Sequence, residues 1–284
     1  MSLTLLNDRF EATVRPEVGG SVASFGWRAG KPILMPVVAS NARADGGGCF
    51  PLVPFSNRIR DRRFRWDGKT HLLEPNVPDG RRVVHGFGWR AAWQVVERDE
   101  DRVVLEHGHD GGLGWSWRYQ CLQTIELFDE GLRLDLRVTN LSGSDMPLGL
   151  GFHPFFPLDG GSRVAVIAGA ARRVGPDGFP EEAGAPGSWR GERAKPEASR
   201  YLSDIQGPMI VTGEFGRVEV HTSPELGEAV LYVPPDRAFF CLEPTTHRVG
   251  DLRDEEGSGA GMRRVGGGEA WGCSTVLQTS QLER

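Results

Sequence analysis

An all-β fold, a single antiparallel β-sandwich carrying long surface loops, is what this sequence predicts, and three observations predict it. Strand-period alternation is written most clearly at residues 115–138, where apolar and polar side chains trade places at every second position. Turn formers are abundant, with 39 glycines and 19 prolines in 284 residues, which suits many short strands. Helix signals are poor throughout.

The elements follow in chain order. Residues 10–14 and 21–27 read as strands across a glycine turn. Residues 54–60, followed by Phe64, Trp66 and the Asp67-Gly68 turn, read as a strand or strand pair, with the arginines on a solvated face. Trp115, Trp117, Tyr119 and Cys121 then alternate with polar residues up to a turn at Asp129-Glu130-Gly131. Leu132, Leu134, Leu136 and Val138 alternate with Arg133, Asp135 and Arg137 on the way back. This is a hairpin with one buried and one wet face. Residues 140–145 form the next turn. Further short strands are readable at 217–222, 229–233, 238–242 and 274–279. Residues 169–200 and 253–269, rich in Gly, Pro or charge, read as loops. Strands on both sides of them share one character, so residues 1–284 are expected to form one domain.

Composition excludes several classes. The hydrophobic share is 39 %, the charged share 25 % and the formal charge −5, which describes a folded chain with no general attraction to nucleic acid or anionic membrane. No apolar run approaches membrane-span length. The first eight residues lack a basic start and a long apolar stretch, so no secretory leader is expected, and a cytoplasmic location is the expectation that the scattered cysteines below suit. Cys49, Cys121, Cys241 and Cys273 are scattered. That argues against a zinc knuckle or a redox pair and fits reduced thiols.

Four segments carry candidate chemistry. In Gly149-Leu150-Gly151-Phe152-His153-Pro154-Phe155-Phe156, one histidine sits among aromatic rings at what reads as a strand end. It is placed to grip a ring-shaped ligand and move a proton. A core histidine bonded to a backbone carbonyl would give the same text. In Val83-Val84-His85-Gly86-Phe87-Gly88-Trp89, a second imidazole is again a polar tip among apolar groups. In Phe239-Phe240-Cys241-Leu242-Glu243-Pro244-Thr245-Thr246-His247, an acid closes an apolar strand, which is costly unless the carboxylate is paired or functional. The fourth segment is Asn57-Arg58-Ile59. His107 and His109 flank Gly108 in what reads as an exposed Gly/Asp-rich turn with no third metal ligand nearby. His247 reads as structural or as a support to the cleft, and His71 and His221 as surface strand positions.

Together, Asn57-Arg58-Ile59, His85-Gly86-Phe87, the Met146-Pro147 to Phe156 stretch and Glu243-Pro244-Thr245-Thr246-His247 resemble the aldose 1-epimerase family, the galactose mutarotases. Order and approximate spacing agree over nearly the whole chain. The resemblance implies a large antiparallel β-sandwich with a sugar lying in an open cleft across one sheet. It implies interconversion of α and β anomers of a free aldose through ring opening. Glu243 would be the base and His153 the acid, a pairing whose residue types suit proton transfer near neutral pH. His85, Arg58 and Asn57 would bind substrate. The family's sugar-binding acid finds its counterpart at Asp204, although the aromatic expected just after it is absent. No metal or organic cofactor is implied, the partner is a monosaccharide, and the assembly is a monomer or homodimer.

Two other readings compete. The cluster Arg58, Arg60, Arg62, Arg63 and Arg65, with Arg81 and Arg82, would suit a hexose-6-phosphate mutarotase, since arginine forks bind phosphate well. A non-catalytic sugar-binding module on the same fold would not need Glu243, His153 and His85 together.

Overall fold

The computed structural model describes residues 2–37, 43–181, 192–250 and 262–281. The N-terminal strands are β1 (Leu3–Leu6), β2 (Phe10–Arg15), β3 (Ser21–Trp27), β4 (Pro32–Leu34) and β5 (Cys49–Leu52). A small separate hairpin of β6 (Arg63–Trp66) and β7 (Lys69–Leu72) follows. Next come β8 (Gln94–Arg98), β9 (Arg102–Gly112), β10 (Trp115–Phe128), β11 (Gly131–Asn140), β12 (Met146–Leu148) and β13 (Gly151–Pro157). The remainder are β14 (Arg163–Arg173), β15 (Glu192–Arg193), β16 (Arg200–Gly213), β17 (Gly216–Thr222), β18 (Glu228–Tyr232), β19 (Phe239–Thr245), β20 (Arg263–Val265) and β21 (Ala270–Ser280). No helix among the described residues is long and apolar enough to cross a membrane.

Seventeen of these strands join one large curled antiparallel sheet. One arm runs β1-β2-β3-β5-β13-β19-β18-β16. The other runs β16-β17-β21-β11-β10-β9-β8. β16 belongs to both. Its residues 200–203 pair with β18 and its residues 209–213 with β17, while β14 lies along its other edge. The change of partner falls at a bend in which Asp204 and Gly207 adopt left-handed backbone, φ 56° and 67°.

The predicted hairpin is present as β10 and β11, paired from Tyr119–Asn140 to Phe128–Gly131. Its odd-numbered β10 residues are buried and Leu132, Leu134, Leu136 and Val138 face the core. The central strands of the other arm behave differently. Phe152, Phe156, Phe240 and Leu242 enter the main core between the arms. Phe50, Leu52, Phe155 and Cys241 form a second cluster on the opposite face. Both faces of these strands are therefore covered, and alternation gives way to continuous apolar text.

Several local expectations change. His153 is not at a strand end but is the third residue of β13. β19 continues past Glu243 to Thr245. Residues 54–59 are irregular, with one isolated bridge from Arg58 to Val84 and a 3-10 turn at Arg60–Arg62. Residues 169–173, expected in a loop, extend β14 because residues 200–203 of β16 pair with residues 170–173. Residues 263–265, also expected in a loop, form β20 against β12. Residues 182–191 of the first expected loop and 253–261 of the second lie outside the described residues. His107 and His109 are not in an exposed turn but within β9. His107 is buried beside Trp93, and His109 is stacked between Phe87 and Tyr119 at centroid distances of 4.9 and 5.2 Å.

Candidate active site

Five neighbouring strands place one residue each in a single row. Phe50 of β5 lies directly opposite His153 of β13. The pairs Gly151–Thr245 and Phe155–Cys241 bracket the position where His153 faces Glu243 of β19. Glu243 is opposite Val230 of β18, and Val230 is opposite Tyr201 of β16. Directly opposed residues in an antiparallel ladder project to the same face. The row Phe50-His153-Glu243-Val230-Tyr201 thus becomes the floor of one cleft of about 250 Å³. The walls come from outside the row: Asp45 from the 3-10 turn Ala44–Gly46, then Asn57, Arg58, Arg82, His85 and Trp89, then Val174, Gly178 and Tyr232.

His153 and Glu243 are in contact at the centre. His153 Nε2 is 3.3 Å from Glu243 Oε1, and the two residues are 7 % and 2 % exposed. The imidazole is stacked on Phe50 at 4.4 Å and on Phe155 at 4.7 Å, which fixes its plane. The other carboxylate oxygen, Glu243 Oε2, is buried and bonds to no described residue. Burial disfavours the charged form of both groups. It pushes the Glu243 carboxyl up to about 8, against the pull of Arg58, and the His153 imidazole down to about 3. Between those limits the pair as a unit carries one proton and no net charge.

His85 is delivered to the same place by an irregular loop. Asn76 accepts from the Val84 N–H at 2.9 Å through Oδ1. Its Nδ2 donates to the carbonyls of Val84 and Gly86 at 2.8 and 2.7 Å. Gly86, at φ 67°, passes so close to the chain that a Cβ there would lie 2.0 Å from the Val53 carbonyl oxygen, so only glycine fits. The His85 ring meets His153 edge-on at 5.0 Å. Burial lowers its pKa well below the usual imidazole value, with the neighbouring His153 and Arg58 acting in the same direction.

Arg58 lines the cleft, and its Nη1 donates to the Asp177 carbonyl at 3.3 Å. Arg60 turns away to pair with the Asp177 carboxylate at 2.6 Å, its guanidinium 4.0 Å from the Phe179 ring centroid. Tyr201, at the end of the floor, meets this wall by donating its hydroxyl to the Gly178 carbonyl at 2.7 Å. Arg82 reaches the cleft and is paired with Asp79.

The expected site residues Glu243, His153, His85, Arg58 and Asn57 are brought together. Asp204 is not. It is exposed, sits at the partner-switching bend of β16 and does not line the cleft. Its physical role is that of a short polar residue tolerating left-handed backbone at a bend. Among the described residues, the other carboxylate lining the cleft besides Glu243 is Asp45, held by Arg43. Sequence reading also missed Phe50, Trp89, Tyr201 and Tyr232, and named Arg82 only in the competing phosphate cluster. Of these only Phe50 carried a usable signal, the apolar run Cys49–Leu52 just after three glycines. His247 is buried, with Nε2 accepting from the Ser56 N–H at 2.9 Å and Nδ1 donating to the Arg248 carbonyl at 2.9 Å. It ties the segment carrying Asn57 and Arg58 to the end of β19.

His85, His153 and Glu243 offer ligand atoms all within 4.8 Å of one another, the spacing of a three-ligand metal site. The protonation pattern opposes that use. His85 Nδ1 accepts from the Asn57 N–H at 3.1 Å. An imidazole bound to metal through Nε2 carries its proton on Nδ1, where it normally donates outward. Here that proton would face another donor.

Comparison with known proteins agrees with the fold. The sequence model of the family described as aldose 1-epimerase matches residues 1–190. The YphB protein of Escherichia coli K12 is 37 % identical over 150 residues, 53 % of this chain and 50 % of that protein. YihR of the same strain is 26 % identical over 106 residues, 37 % of this chain and 34 % of that one. The chain thus spans half or less of the length of these curated relatives. Among solved structures, a candidate aldose 1-epimerase from Escherichia coli K12 superimposes with a TM-score of 0.86 at 27 % identity over 99 % of both chains. The galactose 1-epimerase of Lactobacillus acidophilus NCFM gives 0.78 at 15 % identity, covering 99 % of this chain and 95 % of that one, a likeness of fold.

Proposed function

Because this chain belongs to the aldose 1-epimerase family, we propose that it interconverts the α and β anomers of a free aldose by acid–base ring opening and reclosure. The observation that carries this reading is the 3.3 Å contact of His153 with Glu243 on the floor of a sugar-sized cleft. A single proton on that pair supplies both catalytic functions. At rest burial favours the proton on Glu243; the reactive arrangement is the minor one reached when it crosses the 3.3 Å contact, leaving Glu243 a carboxylate and His153 an imidazolium. Glu243 removes the proton of the anomeric hydroxyl O1. The electron pair left on O1 forms the C1=O1 carbonyl as the C1–O5 bond breaks, and the imidazolium protonates O5. Rotation about C1–C2 presents the other carbonyl face, and the same steps run backwards close the ring as the opposite anomer. Arg58 favours the ionised carboxylate, as its pull on Glu243 requires. His85 donates a hydrogen bond to the ring region, and Phe50, Trp89, Tyr201 and Tyr232 present aromatic surface to the sugar. The reaction requires no cofactor, because protons move and nothing is oxidised or reduced.

The four cysteines are free and buried, which suits a reducing, cytoplasmic setting. The protein would act there as a monomer or homodimer.

A phosphorylated substrate is the reading to weigh against this one, because Arg58 and Arg82 both line the cleft. Each already has a protein partner, Asp177 or Asp79, and Arg60 is turned onto Phe179, which favours the free sugar. Polarimetric decay of freshly dissolved α-glucose and α-galactose, run beside glucose 6-phosphate, separates the two. Free sugars are expected to be turned over at least as well. Arg58→Ala is expected to raise KM for the free sugar and leave measurable turnover. A strong preference for the phosphate that Arg58→Ala abolishes would replace this reading with the phosphate one.

A further inference from the structure

Asn57 and His85 hold each other through two main-chain bonds. The His85 N–H donates to the Asn57 carbonyl at 3.0 Å, and the Asn57 N–H donates to His85 Nδ1 at 3.1 Å. Both residues have left-handed backbone, φ 52° at Asn57 and 61° at His85, which is uncommon away from glycine. Asparagine is among the side chains that tolerate it. At Asn57 the local bond from the Arg58 N–H to Oδ1, 2.9 Å, supports the turn. A backbone amide can only donate, so Nδ1 must present its lone pair, and in a neutral ring the proton then stands on Nε2.

We propose that Asn57 is a positioning residue: its left-handed backbone aims its N–H at His85 Nδ1 and holds His85 as the Nε2–H tautomer, a fixed hydrogen-bond donor to the substrate. This reassigns Asn57 from sugar ligand to the residue that sets what His85 can do. A ring held this way donates from Nε2 and cannot accept a proton there without losing the bond to Asn57. His85 therefore stabilises charge developing on a sugar oxygen, while proton removal is left to Glu243. The same constraint explains why the three-ligand cluster is a poor metal site. The requirement falls on the backbone at position 57, so glycine should serve there and a β-branched residue, for which left-handed backbone is a steric outlier, should not.

The test has a spectroscopic arm and a kinetic arm, and only the kinetic arm rests on the mutarotase reading. With ¹⁵N-histidine label and His85→Asn to assign the signals, the wild-type protein is expected to show an unprotonated Nδ1 and a protonated Nε2 at His85. In Asn57→Gly that signature is expected to persist, and kcat is expected to fall clearly less than in Asn57→Val. In Asn57→Val the signature should become mixed and kcat should fall by up to about 10²-fold, the scale of losing one positioned donor. A wild-type His85 protonated on Nδ1 overturns the proposal, whatever the variants do. So does a kcat loss in Asn57→Gly as large as that in Asn57→Val with the signature unmoved, which would return Asn57 to a direct sugar contact. Unchanged kcat in Asn57→Val overturns it as well. Should Asn57→Val not fold, the wild-type spectrum and Asn57→Gly still decide. If no aldose is turned over by wild type while the signature is as expected, the function fails and the clasp stands.

Discussion

Glu243→Gln is expected to fold, to be at least as heat-stable as the parent and to lose about 10²–10⁴-fold or more of its activity, the contribution of a positioned proton-transfer group. The two halves of that result have one cause. The carboxyl lies on the floor of the cleft, 2 % exposed, and its burial raises its pKa to about 8, so its charged form is costly where it stands. An amide of the same shape escapes that cost but cannot accept the O1 proton. Thermal unfolding and polarimetry on the same preparation check both halves. Activity within a few-fold of the parent would remove Glu243 from the base role.

His153→Asn is the second large effect, and it should appear in kcat with little change in KM. Delivery of a proton to O5 occurs only as C1–O5 breaks, so the interaction belongs to the transition state. A loss on the order of 10²–10⁴-fold is expected. The pH profile adds a second handle. The reactive pair carries one proton, and it loses that proton as pH rises through about 8, the value to which burial brings Glu243. Wild-type kcat/KM should therefore be level across neutrality and fall on the alkaline side. Its acid limb should lie far below neutrality, because burial holds His153 down near 3. In His153→Asn the residual activity depends on the carboxylate alone, so it should rise through the titration of Glu243 instead of falling. A variant that changes only KM, or that keeps the wild-type alkaline fall, would make His153 a binding residue.

What the sequence disclosed follows how each segment is solvated. The hairpin of β10 and β11 was legible because one face is wet, so Leu132, Leu134, Leu136 and Val138 alternate with charges. β13 and β19 lie between two apolar clusters, so alternation could not locate their ends. That is why His153 and Glu243 read as terminal when both are interior. The polar groups His85, His153 and Glu243 nonetheless stood out, because such groups in apolar text are costly without a use, whereas Asn57 and Arg58 were marked only by the family resemblance of their segment. Asp204 misled because its neighbours resemble a motif, while its position is decided by the long-range switch of β16 between two partners. Tyr201 was invisible for the same reason, and the apolar run around Phe50 did not tell which face that ring would take. Both reach the cleft through the register of five strands, which no local window contains. His109 read as an exposed turn residue because its flanking glycines hide a strand that β10 stabilises from the other side.

The central claim is that the His153–Glu243 pair opens and recloses a sugar ring, and anomer exchange measured by NMR at equilibrium tests it most directly. Magnetisation transfer between the α and β anomeric protons of glucose or galactose reports the interconversion rate with no net reaction and no coupling enzyme. Catalytic amounts of the wild-type protein are expected to produce exchange cross-peaks well above the spontaneous rate, and Glu243→Gln and His153→Asn are expected to leave that rate near its uncatalysed value. Spontaneous-rate exchange with the wild-type protein across a panel of free aldoses, or undiminished exchange in both variants, would contradict it.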